Sequence, residues 1–188
     1  MALIRQQIEI QLSKIKLLLM LVGSLTFVAL GLWLVINPPA NQNYHRYSPT
    51  TILIAGYASI IFFGLGVIIF IRKLADNKPG LIIDDLGLSD NSSGVSGGQI
   101  LWSEILNISV LKVNSQKFVM LQVKNPEDYI NRQTSAFKKK MMEVNFKMYG
   151  SPLSITSNGL KISFNDLHKL LVDSYDAAKQ REEKSPNC

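Results

Sequence analysis

Two long apolar runs near the N-terminus constrain this chain more than any other feature. Residues 17–36 (LLLMLVGSLTFVALGLWLVI) form 20 consecutive positions without a charge, and residues 51–71 (TILIAGYASIIFFGLGVIIFI) form 21. At about 1.5 Å per helical residue each reaches roughly 30 Å, the thickness of a bilayer's hydrocarbon core. In lipid a helix satisfies its own backbone groups, whereas an open strand or loop does not. The runs therefore predict a transmembrane helical hairpin and an integral membrane protein. A cleaved signal peptide fits the first run less well. Its apolar core would be too long, 16 residues precede it, and Asn37-Pro38-Pro39 follows where a small-x-small site is needed.

The basic residues set the expected orientation. Arg5, Lys14 and Lys16 precede the first run, and Arg72, Lys73 and Lys78 follow the second. The connecting segment 37–50 carries only Arg46. Lys and Arg collect on the cytoplasmic side of membrane spans. Both termini are thus expected in the cytoplasm, at a cell inner membrane, with a short external loop. The expected organisation is a cytoplasmic segment 1–16, spans 17–36 and 51–71, loop 37–50, a cytoplasmic domain 79–180 and a frayed tail 181–188. In the loop, Tyr44 and Tyr47 are expected at the headgroup level, and His45 has no ligand-forming neighbour.

This distribution also argues against a nucleic-acid partner. The net charge is +6, but residues 1–78 hold seven Lys/Arg against two acids, whereas 79–188 hold thirteen against twelve. The excess lies beside the apolar runs, where it would meet anionic headgroups. The single cysteine, Cys188, has no internal partner and nothing after it to make a prenylation box.

Within the runs, small residues are the packing candidates. Gly23 and Gly31 in the first, with Ala55, Ser59, Gly64 and Gly66 in the second, would let two backbones approach closely. Mutual packing of the two spans is the expected use, and association of copies is the alternative. Neither run holds an Asp, Glu, Lys, Arg or His, which speaks against transport by this chain alone.

After Lys78-Pro79-Gly80 the pattern changes to short strands and turns. Strands are expected over 81–84, from 88 to 90, over 99–102, 105–113 and 118–123, around Leu153-Ser154-Ile155 and over 160–162. Asn91 to Gly98 reads as a glycine-rich loop; it lacks the Lys-Ser/Thr of a P-loop. Asn125-Pro126-Glu127-Asp128 reads as a capped helix start. That helix is expected to run on through Tyr129, Ile130, Phe137 and Met141. A last helix is expected from Asn165, with Leu167, Leu170, Leu171, Tyr175 and Ala178 on one face. The class is α+β: a two-helix hairpin, then an antiparallel β domain with two helices.

The run GLIIDDLGLSDNSSG, with ILWSEILNISVLKV, KFVMLQVKNPEDYI and YGSPLSITSNGLKIS after it, resembles a bacterial pleckstrin-homology-like (bPH-type) domain. The whole layout is similar to a family of small bacterial two-span membrane proteins carrying such a cytoplasmic domain. Leu101-Trp102-Ser103-Glu104-Ile105, Val123-Lys124-Asn125-Pro126 and the segment from Phe146 to Pro152 carry the resemblance most specifically. It implies a fold and no activity. The long helix expected after Pro126 departs from a simple pleckstrin-homology barrel.

Chemistry is sparse. Asp84 and Asp85 are adjacent and suit a turn better than a catalytic pair; His168 stands without a second histidine or a cysteine in the domain. No nucleophile–base–acid set is visible, so no enzyme activity, cofactor or metal is expected. The candidate working surface is Phe137, Lys138, Lys139, Lys140 and Met141, where three lysines border apolar side chains beside a membrane. A solvated helix face is the plainer reading. The expected function is a membrane-anchored binding or scaffolding module that docks a protein partner, with anionic lipid as an aid. An immunity-type protein against a toxin is the alternative. A lipid-modifying enzyme using Asp84, Asp85 or His168 comes last.

Overall fold

The computed structural model describes residues 7–38, 48–93 and 95–184. The chain forms two compact units. One is Lys14–Asn77; the other joins Met1–Ser13 to Lys78–Cys188. The first is therefore an insertion into the second.

The inserted unit is a pair of apolar helices, α1 (Lys14–Ile36) and α2 (Pro49–Ala75), both long and apolar enough to cross a bilayer. α2 begins where the sequence supplies a cap. The Ser48 hydroxyl accepts from the Thr51 amide at 3.2 Å, and Pro49 fills the first turn, where no amide donor is needed. At the other end Lys14 Nζ donates to the carbonyls of Leu74 and Asp76, each at 2.6 Å. A cation there satisfies carbonyls left open by the helix end and opposes the negative pole of its dipole.

The larger unit is α+β. Its first strand is β1 (Ile8–Ile10), from the segment expected to be a mere N-terminal extension. Ile8, Ile10 and Leu12 alternate with polar Glu9 and Gln11, the period of a half-buried strand. β1 pairs antiparallel with β2 (Leu81–Ile83), Ile10 opposite Leu81. β3 (Gly87–Asp90) and β4 (Gly98–Leu101) complete a four-stranded antiparallel sheet in chain order. Asp84 makes the β2–β3 turn as the sequence suggested: its carboxylate accepts from the amides of Leu86 (2.9 Å) and Gly87 (3.0 Å). Gly87 is obligatory here, because a Cβ on it would lie 2.1 Å from the Ile100 carbonyl oxygen. Asp90 ties down two positions of the glycine-rich segment after β3. The buried Asp90 carboxylate accepts from the amides of Ser92 (2.8 Å) and Gly97 (3.3 Å).

A 3-10 turn (Trp102–Glu104) links the sheets, where a strand through Trp102 was expected. The indole turns inward, 4% exposed, and donates to the Asp84 carbonyl at 2.9 Å. β5 (Ile105–Val113) and β6 (Gln116–Val123) form a hairpin around Asn114, whose φ of 52° is one that asparagine tolerates. β7 (Leu153–Ile155) pairs on the other side of β6. The residues expected as a strand over 160–162 contribute only one bridge, Leu160 opposite Leu12.

The single helix expected after Pro126 is two: α3 (Pro126–Asn131) and α4 (Ala136–Tyr149). The break combines one tertiary contact with one local cap. Arg132 leaves the helix to donate to the Gln99 carbonyl at 2.8 Å, and Ser135 caps a new start. Asn125 takes the cap position of α3, but its side chain makes no capping bond. With α5 (Phe164–Lys184), the domain has three α-helices among the described residues, not two. α5 buries Leu167, Leu171 and Ala178 on one face, as its spacing predicts. The core comprises these leucines, Leu81, Leu88 and Ile100 of the first sheet, and Val119, Leu121, Leu153 and Ile155 of the second.

Candidate interaction surface

α4 is fixed at both ends. Ser135 Oγ accepts from the Lys138 amide at 3.5 Å, and Gly150 ends the helix at φ 75°, its amide returning to the Phe146 carbonyl at 2.9 Å. Met142 anchors it, fully buried. At about 100° per residue, Phe137, Met141, Val144 and Met148 fall in one stripe well away from Met142. Phe137 is 52% exposed and Met148 64% exposed, while Met141 and Val144 between them are half-buried.

Consecutive helix residues point about 100° apart, so the three lysines do not act as one patch. Lys139 turns to α3 and donates to Asn131 Oδ1 at 2.9 Å. Lys138 is half-buried on the side toward Met142. Lys140 borders the apolar stripe and meets Glu143 at 3.6 Å. Seven residues on, the exposed Lys147 borders it on the same side. The working stripe is therefore Phe137, Met141, Val144 and Met148 with Lys140 and Lys147. The sequence reading held only its first turn and missed Val144, Lys147 and Met148. The spacing i, i+4, i+7, i+11 from Phe137 was the signal for Val144 and Met148.

A cleft of about 370 Å³ lies between α3 and α4, lined by Ile130, Phe146, Lys139, Lys147, Glu127 and Glu143. α3 is held against the 3-10 turn by a clamp. The Tyr129 hydroxyl donates to the Glu104 carboxylate, and the Arg132 guanidinium sits 3.7 Å from the Tyr129 ring centroid. Burial of the Tyr129 phenol, together with that carboxylate, pushes its pKa up to about 12. The neutral phenol is the form the clamp needs.

The remaining chemical candidates are engaged elsewhere. Asp84 holds its turn, Asp85 pairs with Arg181, and His168 stacks on Phe164 with ring centroids 6.3 Å apart. Among the described residues no group of three or more His, Cys, Asp or Glu could hold a metal.

In the apolar pair, the helices touch at Gly31 and Gly56. A Cβ on Gly31 would lie 2.9 Å from the Gly56 carbonyl oxygen, and one on Gly56 would lie 3.1 Å from that of Gly31. Ser59 Oγ donates to the Phe27 carbonyl at 3.0 Å, Gly66 faces Ser24, and Phe27 stacks on Phe63 at 4.3 Å. Gly31, Ser59 and Gly66 thus lie in the interface. Gly23 and Gly64 do not, since nothing lies within 4 Å of a Cβ on either; Ala55 is exposed, and its neighbour Gly56 takes the contact instead. Of the flanking basic residues, Lys14 caps α2, Lys16, Lys73 and Lys78 each have a partner, and Arg72 is exposed. Arg5, the loop residues Tyr44, His45, Arg46 and Tyr47, and Cys188 lie outside the described residues.

Compared with known proteins, the chain matches no family model, no curated protein and no solved structure.

Proposed function

We propose that this is a non-enzymatic, membrane-anchored binding module. α1 and α2 span a cell inner membrane, and a cytoplasmic pleckstrin-homology-like domain presents α4 to a protein partner, with anionic lipid assisting. The observation that carries the binding role is the α4 stripe: four apolar residues along a helix firmly seated by Met142, with Lys140 and Lys147 beside them. Exposed aromatic and Met side chains rimmed by charge suit a docking surface.

The anchoring has separate support. Both helices are long and apolar enough to span, and the basic residues cluster at their outer ends. β1 and β2 are neighbours in one sheet, so the segments before and after the hairpin belong on the same side of a bilayer. Two antiparallel sheets with an amphipathic helix at the C-terminal end support the pleckstrin-homology-like assignment.

The test is photocrosslinking in native membranes from a probe at Lys147, beside the stripe. The full chain should capture a defined partner. The double variant Phe137→Asp, Met148→Asp should lose it while remaining folded. Capture that survives the double variant contradicts the proposal.

A further inference from the structure

β5 is nine residues long and has a neighbour on one side only. It pairs with β6 from Ile105 to Val113, and in the three-stranded sheet β5-β6-β7 its other edge takes no strand among the described residues. The Tyr175 hydroxyl donates to the carbonyls of Ile105 (3.2 Å) and Leu106 (3.3 Å) at its start. From Asn107 onward, every second residue of an edge strand turns its amide and carbonyl outward, ready to accept another strand.

The side chains tell the same story. Residues directly opposite in the ladder share a face, and one row runs Ile155, Val119, Val110. Their exposures are 1%, 0% and 47%. The core face of the sheet is closed over β7 and β6 and open at β5. Leu106, the extra residue of a β-bulge, is 58% exposed at the start of the same edge.

We infer that β5 pairs antiparallel with β5 of a second copy of this chain, about a two-fold axis at Val110, making one six-stranded sheet. The charge pattern favours self-pairing. Residues 105–111 carry no charge, and Lys112 is the strand's one charged residue. In an antiparallel pair centred on Val110, Val110 meets Val110, Ser109 meets Leu111, and Lys112 meets Ile108. No like charges face each other, and the two half-open valines cover one another. The free stretch is bounded by the bulge at Leu106 and by Lys112, both devices that stop an edge from pairing further. The other edge of this sheet, β7, is only three residues long. The association therefore closes as a dimer rather than growing into a fibre. It rests on the sheet alone and stands whether or not α4 docks a partner.

The test uses the full chain in detergent, with mass read by light scattering over micromolar concentrations. The native chain should be a dimer. Ser109→Lys with Leu111→Lys sets lysine against lysine across the axis and should give monomers. Ser109→Lys with Leu111→Glu sets opposite charges together and should restore the dimer, with unchanged circular dichroism in both. A Val110→Cys variant in a Cys188→Ser background should oxidise to a covalent dimer, and a cysteine at Phe137 should not. A monomeric native chain overturns the inference and leaves the edge to an extended segment of another protein. A dimer insensitive to the paired lysines also overturns it and moves the association elsewhere, to the apolar helices for example.

Discussion

Ile10 stands directly opposite Leu81 in the β1–β2 ladder, with the whole of Lys14–Asn77 inserted between them. Both are buried, at 7% and 0% exposure. The domain's first strand thus comes from before the apolar helices and its second from after them. The chain segments that flank the hairpin are each bonded within the domain. The Gly80 amide bonds the Ile10 carbonyl, and the Ser13 amide bonds the Gly159 carbonyl, each at 2.8 Å.

The domain should consequently fail without its N-terminal strand. Ile10→Ala should cost about 2–5 kcal/mol, as buried Ile to Ala does. A chain beginning at Lys14 should lose protease resistance across residues 79–184. Limited proteolysis followed by mass spectrometry reads both effects. Resistance equal to that of the intact chain would show that β1 is dispensable.

Within the apolar pair, Gly31→Leu or Gly56→Leu should destabilise the helix contact by about 1–3 kcal/mol, the cost of overpacking. Neither position has room for a side chain. Gly23→Leu and Gly64→Leu meet open space and should change little. Unfolding of the purified chain in mixed micelles ranks the four.

Tyr129 should mark the alkaline limit of the domain. Its folded-state pKa is pushed up to about 12 from the ordinary tyrosine value of 10.0, so the native state holds this proton more firmly than the unfolded state. The contribution is intact below about pH 10 and is lost as pH rises toward 12. The wild-type domain should lose stability over that window more steeply than Tyr129→Phe. At neutral pH Tyr129→Phe should cost about 1.5–3 kcal/mol, typical of a hydrogen bond to a charged group. Phenolate absorbance and thermal melts at stepped pH give the two readings.

On α4 the anchor and the stripe should separate. Met142→Ala should cost about 2–5 kcal/mol. Phe137→Ser and Met148→Ser should stay within about 0.5 kcal/mol, as exposed substitutions do. Loss of partner capture without loss of stability in the latter pair is the expected pattern. Chemical denaturation measures the stability side.

Much of the architecture could be read from the sequence because its signals are local. The two apolar runs, the Asp84 turn, the β5–β6 hairpin and the amphipathic α5 each declare themselves within a short window. The errors arose where tertiary contacts decide. The pattern from Pro126 to Met141 is helical throughout, yet Arg132 breaks it to reach the Gln99 carbonyl on another element. Ser135, a preferred cap residue, was the one local sign of the restart. β1 is three residues long and finds its partner only beyond the inserted helices. Its alternation of Ile8, Ile10 and Leu12 was visible, but nothing nearby in sequence could say with what it pairs. Small residues marked the helix contact, whereas choosing Gly56 over Ala55 needs the rotation of one helix against the other. The three adjacent lysines looked like a unit in the sequence; helical geometry sends each a different way.

The most direct test of the whole account is the side of the membrane on which each segment lies. Single cysteines would be placed at Glu9 in β1, at Asn43 between the helices and at Lys184 in α5, in a Cys188→Ser background. Each is then labelled with an impermeant maleimide in intact and in opened cells. The expected result is labelling of Asn43→Cys from outside, and of Glu9→Cys and Lys184→Cys only after opening. Labelling of Glu9→Cys and Lys184→Cys from opposite sides would contradict a domain built from both ends of the hairpin. Labelling of all three from the same side would contradict the spanning hairpin itself.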